Sequence, residues 1–410
     1  MNPDLMRKID RWLGTSLCLT LTLWARLMRV LALGPKQSSS PRRILFMELA
    51  EIGGLVVAYP ALAQAKKRFA DAELFFLTFK GGQGILDLLG IIDRDHQIII
   101  RPDGLLTFIR DTLAAIWRMR KLGIDTTINL EVYARFSTLL AYLSGAKRRA
   151  GFHRFYEEGH YLGDLLTHKV IYNPHHHAAR TFITLVESVA EEVDAEPRAK
   201  IPLSDFSLTL PCLSTSDADR QVIRDKLRQA YPALEDRHRL VLLNPNASDL
   251  VAARRWPTQN FLEVARGLLQ DPGILIVLTG TAEERDHCQK VKQDLESERV
   301  LNLAGQTTLP QLIDLYNQAS LLITNDSGPA HFASLTRLPV LVLFGPETPR
   351  IYGPLGPQVQ VIYLALSCSP CVSVYNQKRS PCQDNQCLKK ITPQQVLKHA
   401  QEILTRPGHH

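Results

Sequence analysis

A chain of 410 residues is longer than one hydrophobic core usually supports, so two domains of roughly 150 to 200 residues are expected. Hydrophobic residues make up 45% and charged residues 22%, the balance of an ordinary globular protein. The net charge of +7 favours an anionic partner, but no aromatic-interleaved motif accompanies the basic clusters 66–68, 118–121 and 147–149, which argues against nucleic acid.

Residues 6–31, "MRKIDRWLGTSLCLTLTLWARLMRVL", are the first predicted element. At about 100° per residue, Lys8, Arg11, Thr15, Cys18, Thr22, Arg26 and Arg29 share one face of a helix, opposite Met6, Ile9, Leu13, Leu17, Trp24, Leu27, Met28 and Leu31. The apolar run is too short to span a bilayer, and arginines follow it instead of a small-residue cleavage site. The pattern suits an in-plane anchor on an anionic membrane; a helix packed on its own protein is the alternative. "GPKQSSSPRR" (34–43) then reads as a tether, giving a helix-and-tether segment over 1–42.

From Arg43 the pattern alternates. "RILFMEL" reads as a buried strand, Pro60 to Phe69 as a helix, "AELFFLTF" as a strand, Leu105 to Leu122 as a helix and "DTTINL" as a strand. Strands alternating with helices predict a parallel sheet covered on both faces, here a first α/β domain over 43–203. The polar stretch 204–238 suits a connection. A second α/β domain over 239–390 follows, with strands "RLVLLNPNAS", "GILIVLTGT", "VLNLAG", "SLLITND" and "VLVLFGP", and a last helix and tail over 391–410.

Ligands of such sheets bind beyond the carboxyl ends of the strands. Two loops there carry unusual residues, "NPNASDLVAARRWP" and "NDSGPAH". In the second, Gly328 permits close backbone approach and Pro329 suits a first helical turn whose amides attract an anion. Asp326 suits a hydroxyl, or serves with Ser327 only as a helix cap, leaving His331 on the surface. Arg254 and Arg255 on the first loop place cations where a diphosphate would need them.

The ordered set "LLITNDSGPAHFASLTRLPVLVLFGPETP", "NLAGQTTLPQLIDLYNQA", "NPNASDLVAARRWP", "RILFMELAEIGGLVVAYPALAQAKKRF", "LAYLSGAKRRAGF" and "CLKKITPQQVLKHAQEIL" resembles glycosyltransferase family 9, the ADP-heptose:lipopolysaccharide heptosyltransferases, over about 43–405. The resemblance implies a GT-B fold, two Rossmann-like doubly wound domains facing a cleft, with the last helix crossing back to the first domain. It implies inverting heptose transfer from ADP-heptose to a lipopolysaccharide core or related lipid-linked glycan. A cation plus helix amides suffice for the leaving-group charge, so no cofactor is expected for catalysis. Asp326 matches the acid on donor-sugar hydroxyls, Ser327, Gly328 and His331 the phosphate-facing helix start, and Arg254 the cation on the diphosphate. Ser248 and Glu283 match other donor-site positions.

One position departs from the family pattern. A first loop of the type "SSIGD" carries the presumed base, whereas this chain reads "AEIGG" and has Gly54 in the acid's place. Glu51 on the same loop is the candidate substitute; Glu48, read as part of the strand, and Glu131 after "TTINL" are nearby acids. Two rivals follow: a GT-B enzyme for another sugar nucleotide, or a noncatalytic nucleotide-sugar or glycolipid binder.

"CSPCVSVYNQKRSPCQDNQC" spaces Cys368, Cys371, Cys382 and Cys387 as C-x2-C, ten residues, then C-x4-C. Such thiol pairs suit a structural zinc; disulfides and unligated thiols are the alternatives. "NPHHHAAR" (His175 to His177) sits at a helix start and suits an exposed cap or an acceptor-phosphate contact. The sequence thus points to a cytoplasmic enzyme peripheral on the inner membrane.

Overall fold

The computed structural model describes residues 10–31, 40–49, 51–191 and 195–406. Met6, Lys8, Ile9 and most of the expected tether lie outside them. The chain divides into two compact units, with the boundary between Leu208 and Thr209.

The first unit comprises α1 (Thr15–Val30), β1 (Arg43–Met47), α2 (Ile52–Arg68), β2 (Glu73–Phe79), α3 (Gln83–Leu89), β3 (Gln97–Ile100), α4 (Leu105–Lys121), β4 (Thr126–Asn129), α5 (Arg135–Leu143), β5 (Arg148–Phe152), β6 (His168–Val170) and α6 (Ala178–Ala190). The strands pair in parallel in the order β3-β2-β1-β4-β5-β6. Alternate residues serve opposite faces: Leu45, Met47, Phe75 and Leu77 meet α4 and α5, while Phe46 and Phe76 stack on the other face with ring centroids 6.4 Å apart. Both faces are covered, so a one-residue slip would exchange the two sets and lose the fit of each against its helices, which fixes the register.

Two boundaries differ from the sequence reading. β1 ends at Met47, so Glu48 lies just past the strand instead of within it. α2 begins at Ile52, not near Pro60, and includes Gly53 and Gly54. Burial of Leu55, Val56, Ala58, Ala61 and Leu62 outweighs the roughly 1 kcal/mol that each helical glycine costs.

α1 is amphipathic, but its polar face is the one that docks. Cys18 and Thr22 are buried, Cys18 beside Leu139 of α5 and Leu165, whereas Trp12, Leu23, Trp24 and Val30 are exposed. Asp10 bonds Arg135 at 3.1 Å and accepts the Phe136 amide at 3.0 Å, while Arg29 bonds Asp164 at 2.7 Å. Gly163 has φ +71°, and a Cβ there would lie 2.3 Å from Thr22 Oγ1. Glycine therefore allows the close approach. The helix is packed on its own protein and presents its apolar face outward, so the two readings of residues 6–31 are compatible.

The second unit comprises α7 (Asp217–Ala230), β7 (Arg239–Asn244), α8 (Thr258–Leu268), β8 (Ile274–Leu278), α9 (Arg285–Leu295), β9 (Val300–Asn302), α10 (Leu309–Tyr316), β10 (Leu321–Asn325), α11 (Gly328–Ala333), β11 (Val340–Phe344), α12 (Pro349–Tyr352), β12 (Val359–Tyr363), α13 (Gln386–Lys389) and α14 (Pro393–Leu404). Its sheet, β12-β11-β10-β7-β8-β9, repeats the topology of the first: the unit's first strand pairs with its fourth. The stretch expected only to connect the domains contains α7, which buries Ile223 and Leu227 and packs on α10. α14, expected to cross back, has Val396, Ala400 and Ile403 in the second unit's own core, and Arg239 donates to the Leu404 carbonyl at 2.9 Å.

Candidate active site

Both sheets reverse their strand order at one place, between β1 and β4 and between β7 and β10. At such a switch point neighbouring loops diverge and leave a crevice beyond the strand ends. Ser248, Arg254, Asp326, Ser327, Gly328 and His331 fall at the second of these places, and Glu48, Glu51 and Glu131 at the first.

In the second unit, Asn325 ends β10 fully buried and knits the two loops together. Its Oδ1 accepts the Trp256 amide at 3.0 Å, and its Nδ2 donates to the carbonyls of Pro245 and Asn246 at 3.2 and 3.1 Å. Asp326 follows, 4% exposed, with its amide held by the Leu343 carbonyl at 3.1 Å. Its carboxylate lies 3.4 Å from Arg254 Nε. Arg254 Nη2 also bonds Glu347, whose side chain is 2% exposed and whose other oxygen is 3.8 Å from Lys378 Nζ. Two acids and two bases thus alternate in a cluster largely withdrawn from water. Arg255 instead donates to the Ala247 carbonyl at 2.9 and 2.6 Å, so Arg254 is the cation beside Asp326.

Ser327 occupies the position before α11 without capping it; its hydroxyl donates to the Asn325 carbonyl at 3.2 Å. The purely capping account of Ser327 is therefore set aside. His331 is buried, not on the surface. A Cβ on Gly328 would lie 3.2 Å from the Phe332 ring, so any side chain there crowds the helix start. Ser248 is exposed on the loop after β7. Glu283 is exposed after β8, where hydrogen bonds from its own amide and from Thr281 hold its pKa below the usual carboxylate value. Glu347 was missed as a site residue, although it lies within the quoted "FGPETP".

The cysteine-bearing loop braces this site. Asn385 Nδ2 donates to the carbonyls of Ala253 and Arg255, at 3.0 and 2.9 Å, on either side of Arg254. The amides of Cys371 and Val372 both hold the Pro346 carbonyl at 3.0 Å, next to Glu347. Burial, together with the nearby sulfurs of Cys371, Cys382 and Cys368, pushes the Cys387 thiol pKa up. Four thiols have the right chemistry for zinc. Among the described residues, however, no three His, Cys, Asp or Glu side chains stand in a metal-holding arrangement.

In the first unit the loop after β1 carries Glu48, Glu51 and Gly54. Glu48 is buried, and Glu51, at the position before α2, is half-buried. A Cβ on Gly54 would lie 3.2 Å from Glu51 Cβ and 3.6 Å from Glu48 Oε1. Both acids therefore border the space that a side chain at 54 would fill. Glu131 Oε1 accepts the Leu49 amide at 2.8 Å, which makes Glu131 a brace between the β4 and β1 loops. His177 Nδ1 accepts the Ala179 amide at 3.2 Å, so that histidine caps α6.

Two parallel doubly wound units, each with a charged switch point, define a GT-B glycosyltransferase fold. The profile of "Glycosyltransferase family 9 (heptosyltransferase)" matches residues 116–380, and the chain belongs to that family. It is 32% identical over 174 residues to lipooligosaccharide heptosyltransferase 2 of Campylobacter jejuni, covering 42% of this chain and 53% of the relative. The chain thus spans about half the length of that relative. To lipooligosaccharide heptosyltransferase 2 of Haemophilus ducreyi it is 25% identical, over 88% of this chain and 99% of the relative. The structure of Escherichia coli ADP-heptose lipopolysaccharide heptosyltransferase II superposes with a TM-score of 0.68 at 21% identity, covering 88% of this chain and 98% of that one.

Proposed function

We propose that this protein transfers heptose from ADP-heptose, with inversion, to a lipopolysaccharide core sugar or related lipid-linked glycan. The observation that carries the reading is the Asp326–Arg254–Glu347–Lys378 cluster at the β7/β10 switch point, its two acids buried and its two cations partly exposed. A nucleoside diphosphate needs cations there, and a sugar needs fixed hydroxyl acceptors. Arg254 takes the diphosphate, with the start of α11 at Ser327, Gly328 and His331 beside it, and Asp326 takes the sugar. Ser248 and Glu283 would border the donor from the flanking loops. The leaving-group charge is stabilised by side-chain cations and backbone amides, so this route needs no cofactor.

Glu51 is the proposed base for the acceptor hydroxyl, because it is the more accessible of the two acids bordering Gly54. Glu48 shapes that space from within. A structural zinc on Cys368, Cys371, Cys382 and Cys387 belongs to the same proposal; it would order the loop that supplies Lys378 and braces Arg254, and would take no part in the chemistry. We place the protein on the cytoplasmic face of the inner membrane, held by the outward apolar face of α1. No helix among the described residues is long and apolar enough to cross a membrane.

Gly54 favours one rival, a protein that binds a nucleotide sugar without turnover. Calorimetric binding of ADP-heptose beside ADP, UDP-sugars and GDP-sugars tests the donor, with Asp326→Ala as control. Acceptor-dependent release of ADP tests turnover. Selective binding with ADP release is expected; binding without release would favour the rival, and preference for another nucleotide would remove the heptosyl assignment.

A further inference from the structure

In an ordinary α/β unit the helices present polar residues to water. α4 does not. Leu106 is 84% exposed, Leu113 62% and Trp117 63%, and with Ile109 they form one stripe along the outer face of the helix. Its inner face is already satisfied by Ala115 and Met119 in the core. The stripe is therefore an additional apolar surface, not a misplaced core.

α4 and α1 are joined through α5. Phe108 of α4 packs on Phe136 of α5 with ring centroids 5.1 Å apart, and Asp10 just ahead of α1 holds Arg135 and the Phe136 amide. Most of the exposed large apolar side chains among the described residues belong to α1, the turn before it and α4.

Within α1 and α4 themselves the charges that meet solvent are cationic, while an exposed acid, Asp103, lies just ahead of α4. Arg26 and Arg29 on α1 have side chains 65% and 56% exposed, and Arg110 on α4 is 68% exposed. The one acid of α4, Asp111, is 11% exposed and clamped by Arg101 at 2.7 and 3.0 Å. A cavity of about 370 Å³ beside α4, at the edge strand β3 and away from the switch point, is lined by Lys80, Arg101 and Arg118 as well as Asp111. Apolar stripes with an indole, rimmed by cations, match the interface of an anionic bilayer: hydrocarbon under the stripe, phosphates at the rim.

We propose that α4 is a second bilayer-inserting face, which together with α1 seats the first unit on an anionic phospholipid membrane through two contacts. This rests on the peripheral-membrane reading of α1 and adds a surface to it. Two contacts restrict rotation about the anchor, so the first unit's acceptor loops would meet a lipid-linked substrate in a fixed orientation.

The test is co-flotation of the full chain with phosphatidylglycerol/phosphatidylethanolamine vesicles, comparing an α1 variant (Leu17→Ser, Leu23→Ser, Trp24→Ser) with an α4 variant (Ile109→Ser, Leu113→Ser, Trp117→Ser). These side chains are exposed, so unchanged melting temperatures are expected and serve as the folding control. The α4 variant should bind roughly tenfold or more weakly than the parent. Brominated lipids should quench the parent's fluorescence more than that of Trp117→Phe. If the α4 variant floats like the parent while the α1 variant is lost, the second face is overturned and the α1 anchor stands. If the unaltered chain ignores anionic vesicles, both fail. If the α4 substitutions instead convert a dimer to a monomer without altering vesicle binding, the stripe is an interface between copies and the proposal is overturned.

Discussion

Arg254 stands between Asp326 and Glu347, with Nε 3.4 Å from one carboxylate and Nη2 bonded to the other. The cation assigned to the diphosphate is thus already held by two buried acids. Removing it leaves both without that partner, a change that typically costs roughly 3–5 kcal/mol. Arg254→Ala is therefore expected to lower the melting temperature and to weaken binding of ADP-heptose and ADP alike by roughly ten- to a hundredfold. Calorimetry with both ligands checks this, and undiminished ADP binding would remove Arg254 from the diphosphate. Arg254→Lys should recover part of the stability but less of the affinity, because an ammonium cannot make the same forked contacts.

The two acids at Gly54 give a second prediction. Glu51→Gln should lower kcat by roughly 10²- to 10⁴-fold with little change in ADP-heptose affinity, the pattern of a lost general base. Glu48→Gln should have the smaller effect on kcat; the reverse order would move the base to Glu48. Gly54→Asp should not raise activity, because its Cβ would crowd Glu51 Cβ at 3.2 Å and add a third carboxylate beside two others.

The cysteine loop is tested by elemental analysis of protein purified without added metal, together with thiol alkylation. The proposal expects about one zinc per chain from a full tetrahedral thiolate shell, four protected thiols, and weakened ADP binding after chelation as the Arg254 brace loosens. Metal-free protein whose four thiols react would defeat it. In that case Cys387 should react last, since burial and its sulfur neighbours raise its pKa.

How much of this was legible in the sequence follows from what is local. Continuous apolar runs gave the strands, and "NDSGPAH" displayed its acid and helix start because those residues are adjacent. Glu347 is 93 residues from Arg254, and nothing in the local pattern pairs them. Glu48 looked like a strand residue because it continues an apolar run, and the ladder ends one residue earlier only in three dimensions. The glycines of α2 concealed a helix that packing sustains. Amphipathicity revealed that α1 has two faces but not which one docks, since a small polar face with Cys18 and Thr22 can pack as closely as an apolar one.

That docking yields a last prediction. Burial disfavours the charge on Asp164, but hydrogen bonds from Arg29 and Lys169 overcome this and lower its pKa to about 2. A carboxylate whose folded pKa lies below the ordinary value of about 4 stabilises the folded state fully above that value and loses its contribution as pH falls toward the folded pKa. The clamp on α1 is therefore at full strength between about pH 5 and 8, and drops out only between about pH 4 and 2. Asp164→Asn removes it at neutral pH. Since Arg29 is more than half exposed, the loss should be about 1 kcal/mol or less, visible as faster hydrogen exchange across 15–30 with little change in global melting. Gly163→Ala should act more strongly, because its Cβ would meet Thr22 Oγ1 at 2.3 Å and the Cys18 carbonyl at 2.7 Å in a left-handed backbone. If both variants leave exchange across α1 unchanged, the helix is not held by the contacts at 163 and 164. If exchange rises and vesicle binding weakens together, docking of the polar face is what turns the apolar face toward the lipid.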